Sequence, residues 1–202
     1  SSFSTSDIWP AEAKQWMQEA TSQPASREWR GQASHTLTNG ARIRIELTLF
    51  IVRDQERTPI AVAAMARDVT ATCLADELAH TTSTAGSPQE LGIGLLQSLR
   101  WGLNIDSGAF MLFEPPAANI VALYDEQEQA FVAADRSVSF DECPLCDELH
   151  ETAAPIVYNN VQDMPAMRLP PFVSKEVQAL AAIPLVDEIG QVKGALIIQR
   201  DR

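Results

Sequence analysis

The chain has 202 residues, 46% of them hydrophobic but only 6% aromatic, so aliphatic side chains must fill one large core or two small ones. A formal net charge of −12, with no run of Lys and Arg to offset it, repels phosphate backbones and anionic headgroups and excludes nucleic acid as a direct partner. The longest apolar runs, such as Ile60 to Ala66, fall far short of the roughly 20 residues of a membrane helix, and Ser1-Ser2-Phe3-Ser4-Thr5-Ser6 lacks the basic start and apolar stretch of a signal peptide, so a cytoplasmic chain without direct membrane contact is expected.

Residues 8 to 23 are predicted to form a short helix, because Trp9-Pro10 supplies an N-terminal proline and Trp16, Met17 and Ala20 fall at helical spacing. A strand from Trp29 to Leu37 leads into Thr38-Asn39-Gly40, where Asn-Gly between two alternating segments marks a hairpin. Ile43, Ile45, Leu47 and Leu49 then alternate with Arg42, Arg44, Glu46 and Thr48, the period of a half-buried antiparallel strand. A polar turn at Arg53 to Arg57 precedes a third strand from Pro59 to Ala66.

The order Trp29-Arg30-Gly31-Gln32, Asn39-Gly40, Arg42 to Leu49, Val52-Arg53-Asp54 and Arg67-Asp68-Val69-Thr70 resembles the last three strands of a PAS domain. Arg-Asp-Val-Thr is similar to that family's exit sequence, where the final strand hands over to a signalling helix. The earlier strands of the family have no counterpart before Ile8, so residues 1–70 are expected to be only the C-terminal part of such a domain, with an open sheet edge.

Two helices are predicted next, Ala71 to His80 and Pro88 to Leu103, separated by the Thr/Ser-rich stretch from Thr81 to Ser87. Ser87-Pro88-Gln89-Glu90 combines a capping Ser, a Pro just inside and Glu in the first turn. Leu91, Leu95, Leu96, Leu99 and Leu103 form one stripe, expected to pack on the following sheet. Strands follow at Ala109 to Phe113, Ile120 to Tyr124 and Phe131 to Ala134. A helical segment around Cys146 to Thr152 comes next, then Ile156 to Asn159, a Pro-rich loop from Met164 to Phe172, and a hairpin of Ala181 to Val186 with Lys193 to Gln199.

This order is similar to a GAF domain. The resemblance is carried by Ala109-Phe110-Met111-Leu112-Phe113, by the passage Thr152 to Val161, and by Ile183-Pro184-Leu185-Val186 with Gly190 and Gly194. The fold class expected is α+β, with two antiparallel-sheet sensor domains: residues 1–70 PAS-like, 71–87 a helical linker, and 88–202 GAF-like without its last helix. The resemblance implies a ligand pocket between the second sheet and a cover running from Cys143 to Pro171.

Cys143-Pro144-Leu145-Cys146, followed by His150, is the constellation most capable of chemistry. If Cys143 opens a helix, the three residues stand at i, i+3 and i+7 on one face. The ordinary reading is packing, since free Cys behaves as a small apolar residue. Thiolates and an imidazole also suit a metal such as zinc, and Cys-x-x-Cys can cycle between dithiol and disulfide. Against the metal, a structural zinc site takes four ligands, and Cys73, His80 and His35 lie in other segments. Against the redox enzyme, the flanks supply no βαβ context. Three cysteines do not make a disulfide framework, and reduced thiols are the cytosolic default.

No cofactor is identified. Bilin-binding GAF domains attach pigment through a Cys followed by His, whereas Pro144 and Asp147 follow the two cysteines here; c-type haem needs Cys-x-x-Cys-His and meets the same Asp147. The letters of the cyclic-nucleotide signature occur at Phe140-Asp141-Glu142 without its spacing. Gly92-x-Gly94 is too short for a phosphate loop, and no nucleophile set emerges, so the segment is not expected to be an enzyme. The resemblances imply a homodimeric sensory input module that responds to a small ligand or redox state. Its output domain would lie beyond Arg202: a histidine kinase of a two-component system, a diguanylate cyclase or a transcription activator. The alternative is a dimerisation scaffold that binds no ligand. A third reading is a redox enzyme resembling GAF-type methionine sulfoxide reductases.

Overall fold

The computed structural model describes residues 9–22, 28–37, 42–163, 170–173 and 177–201. The chain divides into two compact units, Ser1–Ala75 and Asp76–Arg202. Each contains its own antiparallel sheet, one of three strands and one of six.

In the first unit, helix α1 (Ala11–Ser22) is followed by strands β1 (Glu28–Thr36), β2 (Arg42–Arg53) and β3 (Pro59–Asp68), paired in that order. The Pro10 carbonyl accepts the amides of Ala13 and Lys14, each at 3.1 Å, and so starts α1. Leu47 of β2 lies between Gly31 of β1 and Ala66 of β3. The alternation read from the sequence is the burial pattern of β2: Ile45, Leu47 and Leu49 are buried while Glu46 is exposed. Leu47 and Leu49 close a small core with Ala13, flanked by Trp9, Trp16, Met17 and Trp29. The expected Asn39-Gly40 turn lies outside the described residues. At the open edge β3 is exposed along nearly its whole length, with Ile60 62% and Met65 63% exposed.

Helix α2 (Thr70–Thr84) contains the division between the units. It runs past His80, where the sequence pattern ends it. The Thr82 hydroxyl bonds the Leu78 and Ala79 carbonyls (3.0 and 2.8 Å), and those of Ser83 and Thr84 bond the His80 carbonyl (2.8 and 2.9 Å), so these residues fold back onto the helix instead of breaking it.

In the second unit, α3 (Pro88–Leu103) begins at a capping Ser87 whose hydroxyl accepts the Glu90 amide at 3.2 Å, while the Glu90 carboxylate accepts the Gly86 amide at 2.8 Å. The helix ends at Asn104 in the left-handed region. Strands β4 (Ser107–Glu114), β5 (Ala117–Asp125) and β6 (Ala130–Ser139) form a meander; α4 (Pro144–Thr152) then carries the chain to β7 (Ile156–Tyr158), and β8 (Ala179–Val186) and β9 (Val192–Arg200) close the sheet in the order β6-β5-β4-β9-β8-β7. The last strand therefore lies beside β4 in the middle of the sheet, with Phe110 opposite Leu196.

The two helices take opposite faces of this sheet. Helix α3 packs on β4, β5 and β6, and α4 on β8 and β9. Successive strand residues point to opposite sides. Phe110 lies under Gly92 of α3, whereas Met111 joins the core beneath α4. The residues of α3 that are buried are Gly92, Leu96, Leu99 and Gly102, and Leu103 is 50% exposed. The stripe of five leucines is thus corrected: its centre is buried, but the contact face turns toward the glycines. A Cβ on Gly92 would stand 2.7 Å from Phe110 Cδ1 and 2.9 Å from the Ala122 Cβ, so helix and sheet approach too closely there for a side chain.

Candidate functional site: the N-terminal turn of helix α4

Helix α4 starts where Cys143 acts as N-cap and Pro144 takes the first helical position, which needs no intrahelical donor. The turn is assembled by the main chain. The Cys143 amide bonds the Ser139 and Phe140 carbonyls (3.0 and 3.1 Å), and its carbonyl accepts the amides of Cys146 (2.8 Å) and Asp147 (3.4 Å). Ala153 in the left-handed region, its amide on the Leu149 carbonyl at 3.0 Å, ends the helix.

Leu145, Cys146 and Leu149 point inward at full burial, as does Cys143, against Met111, Ile120, Leu180 and Ile197 of the sheet. The outward positions are acidic: Asp141, Glu142 and Asp147 are exposed. The structure pairs Cys143 with Cys146 as a disulfide, with Cα atoms 5.4 Å apart. The reduced default of the sequence reading therefore does not describe this pair, and the remaining Cys73, on α2, is free. Joined in this way, neither sulfur is a thiolate ligand. No group of three or more His, Cys, Asp and Glu among the described residues is arranged to hold a metal ion.

His150 is half-buried, and its ring partners are aromatic. Its centroid lies 5.5 Å from that of Phe140 and 6.2 Å from that of Phe113, and the two phenyl rings meet edge to face at 5.3 Å. Sequence reasoning named His150 but not these partners, which come from β4 and from the turn after β6. His35 lies half-buried on β1 and His80 exposed on α2.

Of the cover expected over a ligand pocket, residues 164–169 lie outside the described ones. A cavity of about 170 Å³ lies elsewhere in this unit, where α3 ends against β7, β8 and β9, and is lined by Leu103, Ile105, Val157, Ala181, Ile198 and Arg200 among others. Ile198 and Ala181 alternate with Ile197 and Ala182 of the α4-side core, which places this cavity on the α3 side of the sheet.

No protein-family profile matches the sequence, and no curated protein matches it. Solved structures match in fold. The A. aeolicus nlh2 GAF domain in an inactive state aligns with TM-score 0.53 at 16% identity, covering 66% of this chain and 81% of that one. The GAF domain from a phosphoenolpyruvate-protein phosphotransferase (ptsP) of Coxiella burnetii aligns with TM-score 0.53 at 17% identity, over 65% and 77% of the two chains. A methyl-accepting chemotaxis protein, residues 122 to 287, aligns with TM-score 0.50 at 11% identity, over 64% and 83%. The shared property is a GAF-like α+β fold, over a share of the chain close to that of Asp76–Arg202. No helix among the described residues is long and apolar enough to cross a membrane.

Proposed function

We propose that this chain is a sensory input module of a cytoplasmic signalling protein. Its GAF-like domain takes up a small ligand or a redox change, and a C-terminal part of a PAS-like domain (1–70) and a helical linker (71–87) accompany it. The signal passes to an output domain, such as a histidine kinase of a two-component system or a diguanylate cyclase, and the segment itself performs no catalysis. The observation that carries this reading is the paired Cys143 and Cys146 at the start of α4, fully buried on a GAF-like sheet. A pair whose bonding changes with redox state, set in a core that an aliphatic pair could fill, argues for an input. The test is native mass spectrometry of the purified chain, beside melting curves with and without reductant. A co-purified small molecule or a redox-dependent melting point is expected. A ligand-free chain that melts identically in both redox states sinks the reading.

The second reading, a homodimeric scaffold without ligand, is favoured by strand β3. Ile60, Val62 and Met65 are exposed on an edge strand, and a run of free N–H and C=O groups along such an edge is a template for another strand. Sedimentation of the wild type against Met65→Lys tests it. A dimer that the lysine splits is expected, and a wild-type monomer at tens of micromolar refutes it.

A further inference from the structure

We infer that Cys143 and Cys146 form a thiol pair oxidised by small hydroperoxides, with Cys143 attacking and Cys146 resolving. The inference deepens the sensory reading and rests on it only for where the signal goes.

The two sulfurs occupy unequal positions on one helix. Cys143 is the N-cap of α4, and no side-chain hydrogen bond caps the turn. The cap is the position whose side chain faces the first-turn amides, at the positive end of the helix dipole. Pro144 has no amide hydrogen and the Cys146 amide bonds the Cys143 carbonyl, so when the disulfide opens the first-turn donor left to a Cys143 thiolate, the nucleophilic form, is the Leu145 amide. Both sulfurs lie in the same apolar core, which favours the neutral thiol in each, so the helix start is what distinguishes Cys143 from Cys146, the third helical residue. The helix start thus ranks Cys143 as the attacking and Cys146 as the resolving sulfur.

The chemistry balances with one named oxidant. The Cys143 thiolate attacks the distal oxygen of a hydroperoxide ROOH, the O–O bond breaks, and ROH leaves with a proton, giving a sulfenic acid on Cys143. The Cys146 sulfur then attacks the sulfenic sulfur, the S–S bond forms, and the hydroxyl leaves as water. The two thiols lose two electrons in all and the peroxide gains them. The return needs two equivalents of a low-molecular-weight thiol, which leave as its disulfide.

Size selects the oxidant. Both cysteines are 0% exposed, and the main-chain bonds from Cys143 to Ser139 and Phe140 hold the turn closed. Any reagent therefore reaches these sulfurs only when the turn opens: hydrogen peroxide, little larger than water, needs the smallest opening, a low-molecular-weight thiol a wider one, and a protein oxidoreductase the widest. Oxidation then ties the N-cap covalently to the first turn, so the start of α4 is firmer in the oxidised chain than in the reduced one.

The decisive experiment uses the wild-type chain, reduced, freed of reductant, exposed to hydrogen peroxide and quenched with N-ethylmaleimide in denaturant. Of the 3 cysteines, two are expected to escape alkylation and to map to one Cys143–Cys146 peptide. Hydrogen peroxide should act at least about tenfold faster than oxidised glutathione at equal concentration. In Cys146→Ser, dimedone should trap a sulfenic acid on Cys143, and Cys143→Ser should give at most about a tenth of that label. A wild-type pair that stays reduced, equal rates with the two oxidants, or the sulfenic label on Cys146 overturns the inference. Inert thiols in a chain that carries a co-purified small molecule would refute it and leave the sensory reading standing. A pair that cycles with no change in melting or ligand content would uphold it and remove the sensory reading.

Discussion

Asp68 and Thr70 are locked together at the exit of β3: one carboxylate oxygen of Asp68 accepts both the amide (2.9 Å) and the hydroxyl (2.7 Å) of Thr70. The same Thr70 oxygen accepts the Arg44 amide at 2.8 Å, and the Val69 amide bonds the Arg44 carbonyl at 2.9 Å. Arg67-Asp68-Val69-Thr70 thus pins the start of α2 to the first residues of β2. The tetrapeptide singled out in the sequence has a mechanical role here, whatever its ancestry.

Removing that carboxylate, in Asp68→Ala, should speed hydrogen exchange at the first turn of α2 and lower the melting point, with Asp68→Asn between it and the wild type. The Thr70 hydroxyl and then its amide hold the Asp68 carboxyl below its ordinary value of 3.8, against a smaller opposing effect of burial. A group depressed in the folded state adds stability above its unfolded value, and that contribution is lost as pH falls through the folded one. Melting curves of wild type and Asp68→Asn should therefore diverge at neutral pH and converge below about pH 3.8. Parallel curves at all pH would refute the assignment.

On α3, Leu96→Ala should cost about 2–5 kcal/mol in urea titrations, because its side chain is fully buried. Leu103→Ala, at a half-exposed position, should stay within about 0.5 kcal/mol. Gly92→Leu should cost about 1–3 kcal/mol or more through collision with Phe110. Equal effects at Leu96 and Leu103 would restore the five-leucine stripe.

That stripe shows where the sequence ceases to be legible. The bounds of α3 could be read because Ser87, Pro88 and Glu90 are local signals. Its contact face could not, because a stripe drawn through leucines overlooks glycines at which the backbone itself is the contact. Strands β2 and β9 could be read from alternation and apolar content. Strand β6 extends beyond Ala134 through Asp135, Arg136 and Ser137, whose exposed polar side chains resemble a turn. At the candidate site, Pro144 marked the helix start and the spacing placed both cysteines together. Whether they are joined depends on redox state, and the Phe113 and Phe140 rings around His150 depend on tertiary packing; neither has a local signal.

Reduction of Cys143–Cys146 should lower the stability of the chain by about 2 kcal/mol, the entropy of a loop closed over so few residues. Urea titrations with and without dithiothreitol measure it. Cys146→Ala should be insensitive to the reductant, and an unchanged wild-type midpoint would mean that the bond constrains nothing in the unfolded chain.

In the β8–β9 turn, Gly190 has φ +81°, and Asp187 accepts the amides of Ile189 and Gln191 at 3.1 and 2.9 Å. Gly190→Ala should cost about 1 kcal/mol through the left-handed backbone alone, since nothing lies near enough for its Cβ to strike. A neutral result in the same titration would show that the turn relaxes.

Because Cys143 and Cys146 belong to one helical turn, with Cα atoms 5.4 Å apart, each thiol meets the other at an effective concentration set by the backbone and not by how much protein is present. Ring closure then outpaces any encounter between chains, so oxidation should not leave cross-linked dimers through these residues, even in concentrated protein. The fraction of chains carrying the bond then depends on the oxidant and on the square of the thiol concentration, and not on how concentrated the chain itself is.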